Sequence, residues 1–372
     1  MSTTTTAMKA PQLLHEIGQS LWLDNITRHL LDSGKLQQYI DELFVTGLTS
    51  NPSILERALK NTNAFDAQIR RAVDDGEPYE EIFFDLALGD LTIAADMFRP
   101  IYDLTNGVDG WVSLEISPLL AFDSHSTLKA AKDLFALANR PNLMIKIPGT
   151  PESLPAVEEA IFSGIPINIT LLFSREQYVA AAEAFLHGVE RRIDAGLSPN
   201  VASVASVFIS RWDSAVAAKV PHQLRNRLGI AIAHRIYKAA HTLLSSPRWQ
   251  RLYNHGGRPQ RLLWASTGTK DPSVRKVLYV DALAAPLTVN TLPEETLNAL
   301  AEETHVGSPL AIDGGDCEQI LGQFVNAGID LDALAVQLQE DGAASFVKSW
   351  KELMSMIKSK AGILSEDSRI AS

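Results

Sequence analysis

Eight short apolar runs, each followed by a stretch of helical periodicity, punctuate the 372 residues, and this alternation restricts the chain to a parallel sheet covered by helices. The runs begin with Leu21-Trp22-Leu23-Asp24 and continue at residues 44–49, 111–116, 142–147, 165–172, 201–209 and 262–266. The eighth falls either at Leu278-Tyr279-Val280-Asp281 or at Pro286-Leu287-Thr288-Val289. Apolar residues at helical spacing mark 12–17, 28–43, 53–106, 126–138, 175–195, 224–244, 291–301, 317–324, 331–340 and 344–358. A further helix over 151–162 is expected to open with Thr150 as its cap and Pro151 in its first turn.

Eight repeats predict closure into a (β/α)₈ barrel, an α/β fold with extra helices. An open doubly wound sheet is the competing architecture. It is disfavoured because no G-x-G-x-x-G follows any run, and Thr267-Gly268-Thr269-Lys270 lacks the upstream glycine and following hydroxyl residue of a phosphate-binding loop. No Gly/Ser/Pro-rich linker divides the chain, so residues 1–372 are expected to form a single barrel domain. Polar, threonine-rich residues 1–10 read as a disordered lead-in, and residues 213–260 as a helical insertion.

Charge and cysteine usage exclude several function classes. With 33 basic against 44 acidic residues the formal charge is −11, which argues against a nucleic-acid or anionic-membrane surface, so an anionic substrate must meet a local basic site. The single cysteine, Cys317, rules out an internal disulfide or a cysteine metal cluster and reads as a small packing residue. No run reaches the roughly 20 apolar residues of a membrane helix, and the expected location is cytoplasmic. The glycosylation sequons at Asn25 and Asn168 are then accidental. Monomer and homodimer both stay open.

The run Asn142-Leu143-Met144-Ile145-Lys146-Ile147-Pro148-Gly149 carries the oddest residue. Side chains alternate along a strand, so Leu143, Ile145 and Ile147 share one face while Met144 and Lys146 share the other. Burial disfavours an ammonium ion, and a neutral amine is a nucleophile toward carbonyls. Taken alone, the lysine is equally at home on an edge strand, snorkelling outward or paired with a carboxylate. Its neighbours repeat the scheme, however. Glu115 and Ser113 oppose Val112, Leu114 and Ile116; Asn168 and Thr170 oppose Ile167, Ile169 and Leu171; Asp24 ends the first run. In a barrel, polar residues near the carboxyl ends of strands meet at the active-site mouth. Lys146, Glu115, Asp24, Asn168 and Thr170 therefore converge in a set suited to Schiff-base chemistry, which requires an amine, a proton shuttle and a base.

The sixth run places Ser206 and Phe208 on one face and Arg211 just beyond its end. A guanidinium there suits a phosphate, because loops after late barrel strands bind phosphates, although a surface salt bridge is an equally plain reading. Lys270 is a second cationic candidate in the next loop. The nine histidines are scattered, His15-Glu16 lacks the second histidine of a zinc helix, and no nucleophile–histidine–acid set stands out, so a metal is not expected. Trp22, Trp111, Trp212 and Trp264 lie on or beside strands and read as core.

These residues also sit in recognisable blocks: Leu21-Trp22-Leu23-Asp24, Thr46-Gly47-Leu48-Thr49-Ser50-Asn51-Pro52-Ser53, Val112-Ser113-Leu114-Glu115 and Ile145-Lys146-Ile147-Pro148-Gly149-Thr150, then Ile167-Asn168-Ile169-Thr170-Leu171-Leu172-Phe173-Ser174, Ser206-Val207-Phe208-Ile209-Ser210-Arg211 and Ala265-Ser266-Thr267-Gly268. In these blocks, running in order from about residue 21 to about 290, the chain resembles the transaldolase family. The resemblance implies a class I aldolase-type barrel of the pentose phosphate pathway that needs no cofactor and acts on sugar phosphates. It implies Lys146 as the Schiff-base amine, Glu115 acting through a water with Thr170 as proton shuttle, and Asp24 as the base on the C4 hydroxyl. Asn51, Asn168 and Ser206 would hold the three-carbon unit, and Arg211 the phosphate. Glu115 and Phe208 match the transferases, where small aldolase relatives tend to carry Gln and Tyr. One departure matters. Shorter members place a phosphate-binding arginine two residues after the serine corresponding to Ser266, and here that residue is Gly268. The run from Ser266 to Pro272 is similar instead to a longer bacterial subclass, in which Lys270 is expected to supply the missing charge.

Overall fold

The computed structural model describes residues 8–60 and 62–370. Eight strands, all parallel and in sequence order, close into a barrel: β1 (Ser20–Leu23), β2 (Val45–Thr49), β3 (Trp111–Glu115), β4 (Leu143–Pro148), β5 (Ile167–Leu172), β6 (Ser203–Phe208), β7 (Arg261–Ala265) and β8 (Val289–Leu292). Every strand residue is buried, because helices cover the outer face and side chains fill the inside. Closure between β1 and β2 demands a glycine. A Cβ on Gly47 would lie 2.6 Å from Trp22 Nε1 and 2.7 Å from the Trp111 carbonyl, so only hydrogen fits where the tryptophan crosses the barrel. Trp22, Trp212 and Trp264 are fully buried and Trp111 nearly so, as expected of core residues, and Cys317 is buried as well.

Several boundaries differ from the sequence expectation, each for a physical reason. The eighth strand lies at Val289–Leu292, beyond the first expected run and overlapping the second only at Val289, and Leu278–Ala282 is a helix. Asn290 and Thr291 are tolerated inside β8 because Thr267 Oγ1 donates to Asn290 Oδ1 at 2.9 Å and Thr291 Oγ1 meets Thr49 Oγ1 at 2.7 Å. The following helix therefore starts only at Glu294, behind Pro293. The pattern over 28–43 breaks into Arg28–Asp32 and Lys35–Leu43 at Gly34, whose φ of +73° ends the first helix. Thr150 does not cap a helix: residues 151–153 form a turn, the helix is Leu154–Phe162, and the Thr150 hydroxyl donates to the Ala121 carbonyl. Residues 1–7 of the expected lead-in lie outside the described residues, and Ala10 already begins a buried helix turn. Between β6 and β7 stand the helices Ser210–Val216, Leu228–Leu244 and Pro247–Asn254. The patterns at 331–340 and 344–358 belong to one helix, Leu331–Ile370.

The two ends of the barrel are treated differently. At the amino end, Asp109 accepts hydrogen bonds from Trp22 Nε1 (2.8 Å), Thr46 Oγ1 (2.8 Å), the Gly110 amide (3.1 Å) and the Ser20 hydroxyl. Arg261 donates to Ser20 Oγ (2.6 Å) and to the carbonyls of Thr288 (2.8 Å) and Val108 (3.0 Å). The result is a buried, charged plug. At the carboxyl end the closing helix Leu331–Ile370 crosses the mouth. Its Gln339 Nε2 donates to the carbonyls of Gly149 (3.0 Å) and Leu171 (2.9 Å), Ser349 Oγ meets Ser53 Oγ at 2.8 Å, and Lys360 Nζ reaches the Thr62 carbonyl (2.7 Å) and Asp66 (2.8 Å). Leu171 holds a left-handed φ of 60° where the β5–β6 register jumps, a strained position that Gln339 secures from outside the sheet. Among the described residues no helix is long and apolar enough to cross a membrane.

Candidate active site

Parallel register brings the polar residues level. Glu115 pairs with Lys146 across β3 and β4, and Lys146 with Asn168 across β4 and β5. All three point away from the aliphatic face, as the alternation predicts. Lys146 Nζ stands 3.0 Å from Glu115 Oε2 and donates to the Ser50 carbonyl at 3.2 Å, with both side chains almost wholly buried. Burying two charges costs several kcal/mol per ion, so a pair kept here is a weak contributor to stability and a strong candidate for chemistry. Burial pushes the Glu115 carboxyl above its usual range; Lys146 opposes that rise, and the nearby Asp24 adds to it. The Glu115 Oε1 atom and Thr170 Oγ1 are buried with no hydrogen-bond partner among the described residues. Polar atoms in that condition are what an internal water satisfies.

Around this pair the remaining residues form two groups. Ser206 Oγ donates to Asn168 Oδ1 at 2.6 Å, and Asn168 Nδ2 donates to Ser113 Oγ at 3.1 Å, a chain that fixes the asparagine amide across three strands. Asp24, one residue past β1, accepts from Thr49 Oγ1 at 3.0 Å and lies 3.5 Å from Asn51 Nδ2. The Asn51 side-chain oxygen caps the helix Pro52–Lys60 by accepting from the Ile54 amide at 3.1 Å.

A pocket of about 260 Å³ opens above the amine. Asp24, Asn51, Lys146, Ser206, Phe208, Arg211, Ser266 and Lys270 all line it. Glu115, Asn168 and Thr170 do not reach its surface: Glu115 acts on it through Lys146 and Asn168 through Ser206, while Thr170 is buried at the level of Pro148. Ser266 sits just past β7 with a φ of 55°, its hydroxyl 2.9 Å from Ser210 Oγ. Arg211, in the first turn of Ser210–Val216, is half-buried and has no ion pair or hydrogen bond from its guanidinium among the described residues. Aromatic rings flank it instead, Phe208 at 5.0 Å and Phe346 at 6.0 Å. Burial holds its pKa below the usual guanidinium value, while the charges of Glu115 and Asp341 oppose that shift. A guanidinium left this way retains its planar fork of donors for an anion.

Sequence reasoning missed Thr49, Thr291 and Phe346, which also line the pocket. Thr49 looked like an ordinary strand residue, and Thr291 fell at the start of the helical pattern expected over 291–301 rather than on the strand it occupies. Phe346 lies in the closing helix, and its ring is 5.9 Å from Lys146 Nζ. Nothing in its local pattern separates it from a core residue. Among the described residues no group of three or more His, Cys, Asp or Glu side chains is placed to hold a metal ion.

Comparison with known proteins agrees with this geometry. The family described as transaldolase/fructose-6-phosphate aldolase matches residues 21–357. A protein named Transaldolase from Thermobifida fusca is 42% identical, over 93% of this chain and 96% of its own length. Another of that name from Saccharopolyspora erythraea is 40% identical, over 96% and 98%. A protein named Transaldolase 2 from Nostoc punctiforme is 38% identical, over 95% and 97%. Identity of this extent over nearly whole chains leaves no part of the barrel unaccounted for, and the chain belongs to the transaldolase/fructose-6-phosphate aldolase family.

Proposed function

We propose that the protein is a transaldolase that moves a dihydroxyacetone unit from a ketose phosphate, fructose 6-phosphate or sedoheptulose 7-phosphate, to an aldose phosphate such as glyceraldehyde 3-phosphate or erythrose 4-phosphate. The observation that carries this reading is the buried contact between Lys146 Nζ and Glu115 Oε2, 3.0 Å long, beside a pocket that also contains the unpaired guanidinium of Arg211.

The amine of Lys146 attacks the ketone carbon C2 of the donor. Glu115, a stronger proton acceptor than an exposed carboxylate because burial raises its pKa, takes a proton from the amine and returns one as the carbinolamine loses water to the protonated Schiff base. Thr170 and the water that it and Glu115 hold complete this shuttle. Asp24 then removes the C4 hydroxyl proton, the C3–C4 bond breaks, its electron pair flows into the iminium, and the aldose phosphate leaves. The three-carbon enamine stays on Lys146, hydrogen-bonded by Asn51 and by Ser206, whose hydroxyl Asn168 holds in place. An acceptor aldehyde takes the enamine carbon, Asp24 returns the proton to the new hydroxyl, and hydrolysis frees the product and the amine. Phe208 walls the site, and Ser266 lies beside the phosphate that Arg211 binds. Lys270 supplies a second positive charge where Gly268 stands.

Borohydride reduction with fructose 6-phosphate, followed by peptide mass analysis, tests the mechanism. A three-carbon adduct on Lys146 that Lys146→Ala abolishes is the expected result; labelling elsewhere or nowhere overturns it. Comparing rates with and without an acceptor aldose separates transfer from simple release of dihydroxyacetone.

A further inference from the structure

Arg211 is long and rotamer-rich, and ordering such a side chain carries an entropy penalty. No carboxylate lies within 4 Å of its guanidinium among the described residues, so something else must hold the fork in one orientation. The closing helix does so. Phe346 places its ring 6.0 Å from the guanidinium carbon, opposite Phe208 at 5.0 Å. Four residues earlier, on the same face of the helix, Gly342 leaves room for the arginine. A Cβ there would stand 3.3 Å from Arg211 Nη1 and 2.9 Å from Leu171 Cδ2. Its backbone has no positive φ, so the helix conformation does not require glycine, and glycine within a helix is disfavoured relative to alanine. The space it leaves is therefore its evident use. Asp341, beside Gly342, adds an attractive charge.

We infer that Gly342 and Phe346, on successive turns of the closing helix, form with Phe208 a socket that fixes the Arg211 guanidinium and thereby sets the preference for phosphorylated over unphosphorylated aldose acceptors. The inference rests on the transfer reaction proposed above and on Arg211 as its phosphate ligand. Gly342 and Phe346 are positioning residues in this scheme, acting through the arginine.

Competition reads the effect cleanly. Full-length protein is charged with fructose 6-phosphate and offered erythrose 4-phosphate and erythrose together; the two seven-carbon products, phosphorylated and unphosphorylated, both differ from the donor, and their ratio reports only the second half-reaction, so changes in donor binding cancel. Phe346→Leu is expected to lower the phosphorylated-to-unphosphorylated product ratio about tenfold, the scale of a partly desolvated cation–π contact, and Gly342→Ala, which crowds Arg211 Nη1, to lower it in the same direction. Phe346→Tyr keeps the ring and is expected to restore the parent ratio to within about twofold. Alanine is the better helix former but displaces the Leu171 Cδ2 tip, so the Tm of Gly342→Ala is measured alongside, and a parent-like Tm shows that its loss of discrimination is not unfolding. Parent-like ratios in both variants, or a fall in Phe346→Leu that Phe346→Tyr does not restore, overturn the socket. Arg211→Gln separates the two levels: if it too leaves the ratio unchanged, the assignment of the phosphate to Arg211 has failed, whereas a collapse there with intact socket variants defeats the socket alone. Borohydride trapping on Lys146 in each variant checks the Schiff base independently.

Discussion

Asp213 makes the stability of the arginine-bearing segment depend on pH, in a direction opposite to that of most carboxylates. It sits two residues after Arg211, 4% exposed, and accepts from the amides of Leu228 (2.8 Å) and Gly229 (3.2 Å) and from the Tyr279 hydroxyl (2.9 Å). Burial outweighs these hydrogen bonds and pushes its pKa from 3.8 up to about 6. The folded state therefore binds this proton more tightly than the unfolded chain, and the stabilisation is fully present below the unfolded pKa and lost as pH rises through the folded one. At about 1.4 kcal/mol per pKa unit, the whole effect is about 3 kcal/mol, of which about 2 kcal/mol falls between pH 4.5 and pH 7.5. Asp213→Asn removes the ionisation. Buried Asp90 and Glu115 and the partly buried Asp281, whose pKa values are also raised, are common to both proteins and cancel in the difference. Urea unfolding followed by tryptophan fluorescence at half-unit pH steps gives the stability of parent and variant. The parent-minus-variant difference is expected to fall by about 2 kcal/mol from pH 4.5 to 7.5. A flat difference, or one that rises, refutes the assignment of the proton to Asp213.

Asp109→Ala is expected to destabilise the protein by about 3 kcal/mol or more, because it strips the counter-charge from buried Arg261 and leaves the Trp22 and Ser20 donors unpaired; urea unfolding at pH 7 reads it, and a loss under about 1 kcal/mol contradicts the plug. Glu115→Gln keeps the shape beside Lys146 and removes the proton shuttle, so kcat is expected to fall about a hundredfold or more. In the parent, rate should decline as pH falls through the raised Glu115 pKa, and that limb should vanish in the variant; an identical pH profile in both proteins counts against the shuttle. Lys270→Ala is expected to raise KM for both phosphorylated substrates, and unchanged KM values show that Lys270 is not the second cation.

The barrel was legible where strands are buried on both faces and only one polar side chain intrudes. In β4 the aliphatic residues Leu143, Ile145 and Ile147 announce a covered strand, and Lys146 stands out because nothing else polar is near it in sequence. The same contrast exposed Glu115, Asn168 and Thr170, and the register of a parallel barrel then made them neighbours without further information. The eighth strand failed this test. Two of its four residues, Asn290 and Thr291, are polar and buried, and hydrogen-bond through Asn290 Oδ1 and Thr291 Oγ1 to Thr267 and Thr49 from distant parts of the chain. A period-two pattern cannot show a hydrogen bond to residues more than 20 positions away, so apolar runs upstream looked better. Local capping misled at Thr150 for a related reason: its hydroxyl prefers the Ala121 carbonyl, supplied by the preceding βα loop.

The closing helix was hidden more deeply. Gln339, Ala343, Phe346, Trp350, Leu353 and Ile357 are all buried and recur at three- and four-residue spacing, so the sequence shows one apolar face but not what that face covers. Its two halves meet different surfaces. Trp350 packs edge-on against Phe83, with ring centroids 4.9 Å apart, in the helix Tyr79–Leu104, whereas Phe346 one turn earlier faces Lys146 and Arg211. The downstream half is fastened by Lys360 to Asp66 and the Thr62 carbonyl, and the upstream half by Gln339 to the carbonyls of Gly149 and Leu171. Between these two anchors Gly342 and Phe346 are held facing the site. Helix geometry fixes the division, because rotation of either anchored half by one residue would turn Gly342 and Phe346 off the mouth together. A segment so far along the chain can therefore tune substrate recognition through side chains that look, by periodicity, like ordinary core.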